Sequence, residues 1–338
     1  MSRAAGYWQG TREYLPDEQR RALRSAVRWQ IFTICYTLCT ITIVALVMGS
    51  SQAMQTAWFE DMLSLLPQVS FLAALPFVRR RPSRDHPYGW HRAMGIGHLL
   101  AGAALLGVGL HLAIDSAGGL IDGIFTGART KIGDVEVFGH TIWQGWIMVG
   151  VMAVIVIGPV WLYGPAKARI APVLHSKLLY ADADMAKADW HTNVASIVGV
   201  LGIGAGIWWL DGAAAIFIAV GIVRDGVSNC SAAVQDLMDR RARSYDGSRP
   251  HPLGGMILAY LRRQSWIAEA GVRLRDQGQV FHVEVFVRPI AGEVSLERLA
   301  EISEGVAELD WKIQDVVVVP ADPIPDYADR LDDAEPAD

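Results

Sequence analysis

Cysteine and charge are both scarce in this sequence of 338 residues, and each shortage excludes a class of protein. The three cysteines, Cys35, Cys39 and Cys230, are odd in number and widely separated, which excludes a disulfide framework and a zinc-finger spacing. Charged residues make up only 19% of the chain, and the net charge of -5 leaves no overall basic surface for nucleic acid. We therefore expect no nucleic-acid partner.

Apolar residues are abundant instead, at 52% of the chain. A helix that crosses a bilayer needs about 20 consecutive apolar residues. Stretches of about this length or longer occupy approximately residues 29–49, 57–78, 93–120, 141–163, 178–210 and 212–233. The sequence therefore predicts a mainly α membrane protein with six transmembrane helices.

The basic residues indicate how these spans are oriented. They are concentrated before the first span, between the second and third, and between the fourth and fifth, whereas the alternate connections carry few. Because Lys and Arg are enriched in cytoplasmic loops, both termini are predicted to be cytoplasmic. We expect a multi-pass protein of the bacterial inner (plasma) membrane, in contact with the lipid bilayer.

The composition divides the chain into four parts. Residues 1–28 are predicted to form a cytoplasmic N-terminal segment, 29–240 the transmembrane domain, 241–324 a cytoplasmic α+β dimerisation domain, and 325–338 an acidic disordered tail. Within the third part, the order helix, strand, strand, helix, strand is predicted from a helix over 252–263, strands over 272–275 and 280–288, a helix over 295–309 and a strand over 316–319.

Ionisable side chains inside the spans are the main functional signal. Each costs about 2.5–3.5 kcal/mol at the centre of a transmembrane helix, so several together require compensation. On a helical wheel, Asp182, Met185 and Asp189 share one face of the fifth span, and Asp184 lies opposite. The predicted metal site in the second and fifth spans consists of Glu60, Asp61, Ser64, Asp182, Met185 and Asp189.

A divalent cation would neutralise carboxylates that otherwise repel one another. A second interpretation is open, in which Glu60 and Asp189 are a buried pair that shares a proton. The lone intramembrane His98 is interpreted as a hydrogen-bonded core residue rather than a ligand.

Three segments carry a resemblance to a known family. They are the loop Asp85-His86-Pro87-Tyr88-Gly89-Trp90-His91-Arg92-Ala93, the segment Gly49-Ser50-Ser51-Gln52-Ala53, and the run 176–199. Together with the order of spans, they resemble the cation diffusion facilitator family, up to about residue 323. The resemblance implies six transmembrane helices, a cytoplasmic α+β domain, a homodimer, and exchange of cytoplasmic divalent metal for protons.

The chain departs from the family pattern at several positions. The family usually places His or Asp, three residues, then Asp on both metal-binding helices, whereas this chain has Glu60 and Ser64 on one and Met185 and Asp189 on the other. His86 and His91 are a second candidate metal site in the loop, with the second histidine displaced by one residue. Positions that resemble the family's cytoplasmic zinc ligands hold Phe286 and Val319.

Three functions are compatible with these features. The first is a proton-coupled exporter of a divalent metal cation by alternating access, which is not an enzyme and has no resident cofactor. The second is a metal-dependent membrane enzyme, and the third is a non-transporting scaffold or sensor of the same fold. The expected cation is Mn, Fe, Zn or Co. Oxygen ligands favour Mn or Fe(II) over Zn, although Met185 would tolerate softer ions.

Overall fold

The computed structural model describes residues 15–80, 82–127, 131–137, 139–278 and 280–330. Its N-terminal two-thirds are built from long helices. These are α1 (Asp17–Val47), α2 (Gln52–Val78), α3 (Ala93–Thr126), α4 (Gln144–Ile155), a π-helical segment (Gly158–Tyr163), α5 (Gly164–Leu174), α6 (Lys177–Gly204) and α7 (Trp209–Leu237).

Four of the six predicted spans are confirmed as helices long and apolar enough to cross a membrane. In the described part of the chain these are α1, α2, α3 and the continuous stretch from Gln144 to Leu174. The helices α6 and α7 have the required length, but they are not among the four that qualify by length and composition together. The prediction of six spans is therefore not confirmed on composition alone.

The predicted start of the fourth span was wrong. The segment His140–Trp143 is a strand, β2, which pairs antiparallel with β1 (Asp134–Val137) ahead of α4. The helical run then continues to Leu174, past the predicted end at Tyr163. Pro159 has no N–H group to donate to the Ile155 carbonyl, and the Tyr36 hydroxyl donates to that carbonyl instead at 2.8 Å.

Small residues bring α3 and α7 into close contact. A Cβ atom on Gly102 would lie 2.8 Å from the backbone nitrogen of Cys230, and one on Gly226 would lie 2.5 Å from that of Leu106. Neither position can accept a side chain without separating the helices. His98 of α3 hydrogen-bonds Asn229 of α7 at 3.0 Å, as expected for a core histidine.

The C-terminal domain has the predicted order of elements, with one addition. It consists of α8 (Leu253–Arg262), β3 (Ile267–Asp276), β4 (Phe281–Pro289), α9 (Leu296–Ala307), β5 (Ile313–Pro320) and β6 (Asp329–Arg330). The sheet order is β5-β4-β3-β6, in which β4 and β5 are parallel and the other neighbours are antiparallel. Apolar residues of α8, α9 and the three long strands form its core.

The predicted tail begins too early. We expected residues 325–338 to be disordered, but β6 pairs with β3 through Gly271 and Arg330. Ile324 and Ala328 are buried against Phe286, so apolar contacts hold this segment on the sheet. Residues 331–338 lie outside the described residues.

A buried charge network joins the two domains. Lys177, the first residue of α6, pairs with Asp236 of α7 at 2.8 Å and with Asp276 of β3 at 3.3 Å. Lys312 contacts Asp276 at 3.3 Å and donates to the His175 carbonyl at 3.2 Å. Burial by itself would raise the pKa of Asp276, but the two lysines hold this pKa below its usual range.

Candidate functional site

The helices α2 and α6 carry the predicted metal site, and each has a defined start. The Ser51 side chain caps α2 by accepting from the Met54 N–H, and the Ser176 side chain caps α6 by accepting from the Leu179 N–H. Asp211 of α7 adds a carboxylate at the start of α2, where it accepts from the Ser51 hydroxyl and from the Gln52 N–H. The partial positive charge of this helix end favours the carboxylate.

Glu60, Asp61 and Asp189 are half-buried and lie within electrostatic range of one another. The side chain of Thr192 on α6 interacts with Glu60, and that of Thr40 on α1 interacts with Asp61. One oxygen of Glu60, Oε2, is buried with no hydrogen-bond partner. A buried acceptor without a donor is costly, and a cation would satisfy it.

The other three predicted ligands differ in their surroundings. Ser64 donates its hydroxyl to the Asp61 carbonyl at 2.8 Å, and Met185 packs against the apolar core of the membrane domain. Asp182 instead accepts from Lys167 at 2.7 Å, Gln30 at 2.8 Å and Gln68 at 3.0 Å. Both oxygens of Asp182 are therefore occupied by protein donors.

The six residues of the predicted metal site do not come together as one complete set of ligands. Across the described ranges, no three His, Cys, Asp or Glu side chains lie close enough together to hold a metal ion. Glu60 and Asp61 of α2 lie within electrostatic range of Asp189 of α6. The metal-ligand assignment therefore stays a prediction.

The two loop histidines have different environments. The His86 ring stacks on Trp90 with ring centroids 3.7 Å apart. His91 is 1% exposed, and neither of its ring nitrogens has a hydrogen-bond partner. Burial lowers the pKa of His91 to about 4, so its imidazole is neutral at physiological pH. A loop metal site at these residues stays a prediction.

The sequence interpretation missed Asp225, a half-buried carboxylate in α7. It lies within electrostatic range of Glu60 and Asp184, and with Asp184 and Met185 it lines a cleft of about 190 Å³. An ionisable residue in an apolar helix was the signal available for it. Asn193 also has a buried, unpartnered oxygen, one helical turn beyond Asp189.

In the cytoplasmic domain, the two apolar residues at the positions that resemble the family's zinc ligands are direct neighbours. Phe286 of β4 pairs across the sheet with Val319 of β5. Both belong to the apolar cluster that also holds Ile324 and Ala328. An apolar contact thus occupies these positions.

Comparison with known proteins identifies the family. The cation efflux transmembrane domain matches residues 29–238, which spans α2 to α7 and nearly all of the apolar part of α1. This chain belongs to the cation efflux family. Members of this family are transporters rather than enzymes, so the resemblance found in the sequence is confirmed and the prediction of a non-enzyme holds. The match also makes this member an integral membrane protein.

Three relatives of this cation efflux protein come from bacteria. An uncharacterized transporter of Bacillus subtilis, YdbO, is 25% identical over 81% of this chain and 86% of its own. The manganese efflux system protein MneS of the same organism is 26% identical over 50% of this chain and 53% of its own. The cation-efflux pump FieF of Shewanella oneidensis is 23% identical over 60% of this chain and 63% of its own.

Proposed function

We propose that this protein exports a divalent metal cation from the cytoplasm in exchange for protons. The proposal rests on carboxylates that two helices bring within electrostatic range of one another. They are Glu60 and Asp61 on α2, and Asp189 on α6. Charge of this kind is costly within apolar helices and marks an ion path. The unpartnered oxygen of Glu60 is a free ligand for the cation.

Protons and metal would use the same oxygens. A metal ion that enters from the cytoplasm displaces protons from these carboxylates, because only the deprotonated form binds it. When the site opens to the other side, the carboxylates take up protons and release the metal. Family architecture and the predicted six-span topology with cytoplasmic termini are consistent with such alternating access.

Manganese is the first cation to test. Carboxylate and hydroxyl oxygens suit Mn²⁺ and Fe²⁺, which are harder ions than Zn²⁺. The relative named as a manganese efflux protein supports the same choice. Met185 is the one soft side chain of the predicted set, so Zn²⁺ and Co²⁺ are the natural comparison ions.

We also propose that the protein works as a homodimer joined through its cytoplasmic domain. Phe286 is itself buried against Ile324 and Ala328, but Tyr327 is exposed beside it with ring centroids 6.4 Å apart, and Val317 of β5 is also exposed. Such a surface can pair with a second copy without a metal ion. A scaffold or sensor of the same fold would retain this dimer but not the metal flux.

Flux into proteoliposomes tests the proposal. Vesicles holding the purified protein should accumulate or release Mn²⁺ when a pH gradient is imposed, and Asp189→Asn should abolish the flux while the protein still elutes as a folded species. Asp115→Asn, which removes an exposed carboxylate from α3, is the matched control and should transport normally. Wild-type flux in Asp189→Asn would refute the assignment of the site.

A further inference from the structure

A buried polar clamp connects four helices of the membrane domain. Its members are Gln30 of α1, Gln68 of α2, Lys167 of α5 and Asp182 of α6, and each is at most 4% exposed. Lys167 and the two glutamines donate to the same carboxylate of Asp182. The clamp shares Asp182 with the predicted metal site, but Lys167 already neutralises this carboxylate.

The clamp fixes one end of the contact between α2 and α6. Gln68 meets Asp182 at 3.0 Å at this end. At the other end, Gly199 approaches Ala53 so closely that a Cβ on Gly199 would lie 3.1 Å from the Ala53 Cβ. The two helices are therefore antiparallel, and residues 53–68 lie along residues 182–199, lengths of about 23 and about 26 Å at the helical rise.

The same two contacts determine where the acidic residues of α2 and α6 lie along the helix axes relative to each other. Asp61 precedes Gln68 by seven residues, and Asp189 follows Asp182 by seven, so both lie about 10 Å from the clamp along their helices. Because the helices are antiparallel, Asp61 and Asp189 are displaced from the clamp in the same direction. A shift of α2 by one residue would move Asp61 by about 1.5 Å relative to Asp189. Metal coordination tolerates only a few tenths of an ångström.

Charge balance explains why the clamp contains a lysine. An isolated carboxylate at this depth would be strongly destabilising, and pairing with a hydrogen-bonded ammonium group offsets that cost. Lys167 is itself completely buried and lies 5.0 Å from the centroid of the Tyr163 ring. With both oxygens of Asp182 engaged, a metal could bind Asp182 only by displacing at least one of these donors.

We propose that Lys167, Asp182 and Gln68 form a positioning clamp that sets the register of α2 against α6 and so places Asp61 opposite Asp189, and that Asp182 is not a metal ligand. The proposal rests on the transport site proposed above and assigns these residues a role in its geometry. Gln30 ties α1 to the same carboxylate, but α1 contributes to the site only the hydroxyl of Thr40 beside Asp61 and none of its acidic residues.

Three variants separate register from ligation. Gln68→Leu removes the bond from α2 to Oδ1 of Asp182. Gln30→Leu is the control, since it removes a bond from α1 to the other oxygen, Oδ2, which Lys167 also binds. The double variant Lys167→Met/Asp182→Asn removes both charges at nearly constant volume and keeps an amide oxygen for Gln68. It also avoids the unpaired buried charge that either single change would leave.

Mn²⁺ titration calorimetry in several buffers gives the affinity and the number of protons released. We expect Gln68→Leu to raise the dissociation constant at least tenfold with an unchanged number of protons. Gln30→Leu and the double variant should stay within threefold of the wild type. A tenfold loss in the double variant with fewer protons released would make Asp182 a ligand and overturn the proposal. Equal dissociation constants for Gln68→Leu and Gln30→Leu would refute the role of Gln68 in setting the register.

Cross-linking measures the register of α2 against α6 directly, so the clamp can be tested independently of metal transport. Ser64 and Met185 lie about 6 and about 4.5 Å from the clamp on the two helices, so they are at nearly the same level. Cysteines at these two positions, with the native cysteines replaced by alanine, should cross-link under oxidation. Gln68→Leu should reduce the yield and Gln30→Leu should not. A wild type that binds no divalent cation would refute the transport proposal alone, whereas a yield unaffected by Gln68→Leu would refute the clamp.

Discussion

Replacing Asp211 with asparagine should destabilise the membrane domain through the start of α2. The Asp211 carboxylate accepts from the Ser51 hydroxyl at 2.6 Å, the Gln52 N–H at 2.7 Å and the Ala53 N–H at 3.3 Å. It is 1% exposed, so water cannot replace these bonds. The bond network joins α7 to the first turn of the helix that carries Glu60.

The size of the effect follows from two losses. Asparagine removes the negative charge at the start of the helix, worth up to about 2 kcal/mol in a buried geometry. Its amide group has one acceptor oxygen, so at least one backbone N–H loses its partner, at about 1–3 kcal/mol. We expect a loss of roughly 2–4 kcal/mol, which corresponds to a melting temperature lower by roughly 5–10 °C.

Thermal unfolding in detergent measures this change, with Asp115→Asn as the control for loss of an exposed carboxylate. Ser51→Ala should cost about 1 kcal/mol as a lost helix cap. Because Ser51 and Asp211 share a hydrogen bond, the double variant should lose less than the sum of the two single variants. A melting temperature for Asp211→Asn within 1–2 °C of the wild type would show that this network does not stabilise α2.

Three other outcomes are expected. Glu60→Gln should lower the affinity for Mn²⁺. It should also make this affinity depend less on pH between about pH 8 and about pH 6, because protons and metal compete for the same oxygens. If calorimetry shows unchanged affinity and unchanged proton release, Asp61 rather than Glu60 is the ligand on α2. The cytoplasmic domain, produced as residues 241–330, should remain a dimer in chelator on size-exclusion chromatography, and a chelator-induced monomer would contradict an apolar interface. Burial and nearby Lys312 lower the pKa of His175 to about 3, so the stability that its neutral form provides above about pH 6.5 should decrease as the pH falls toward 3. His175→Asn, which suits the left-handed backbone at this position, should flatten that dependence in thermal unfolding, and an unaltered profile would exclude His175 as its origin.

The sequence alone was sufficient for the class of protein, its family, and the order of the long helices and of the main elements of the C-terminal domain. Apolar runs of bilayer length predicted the helices, since only a helix can satisfy its own backbone groups in lipid. Alternation of apolar residues predicted β4, because successive side chains of a strand face opposite sides of the sheet. Ionisable residues within apolar runs indicated α2 and α6 as the functional helices, since their cost is local and visible along the chain.

Which of those ionisable residues are paired with groups from other helices was decided by the tertiary structure. A helical wheel places Asp182 and Asp189 on one face, but it does not show that Lys167 and Gln68 arrive from other helices to occupy Asp182. Asp225 and β6 were missed for a related reason, since each acquires its role from partners distant in the chain. Periodicity depends on neighbours within one element, whereas the partner that neutralises a buried charge or covers a strand edge is set by how separate elements pack.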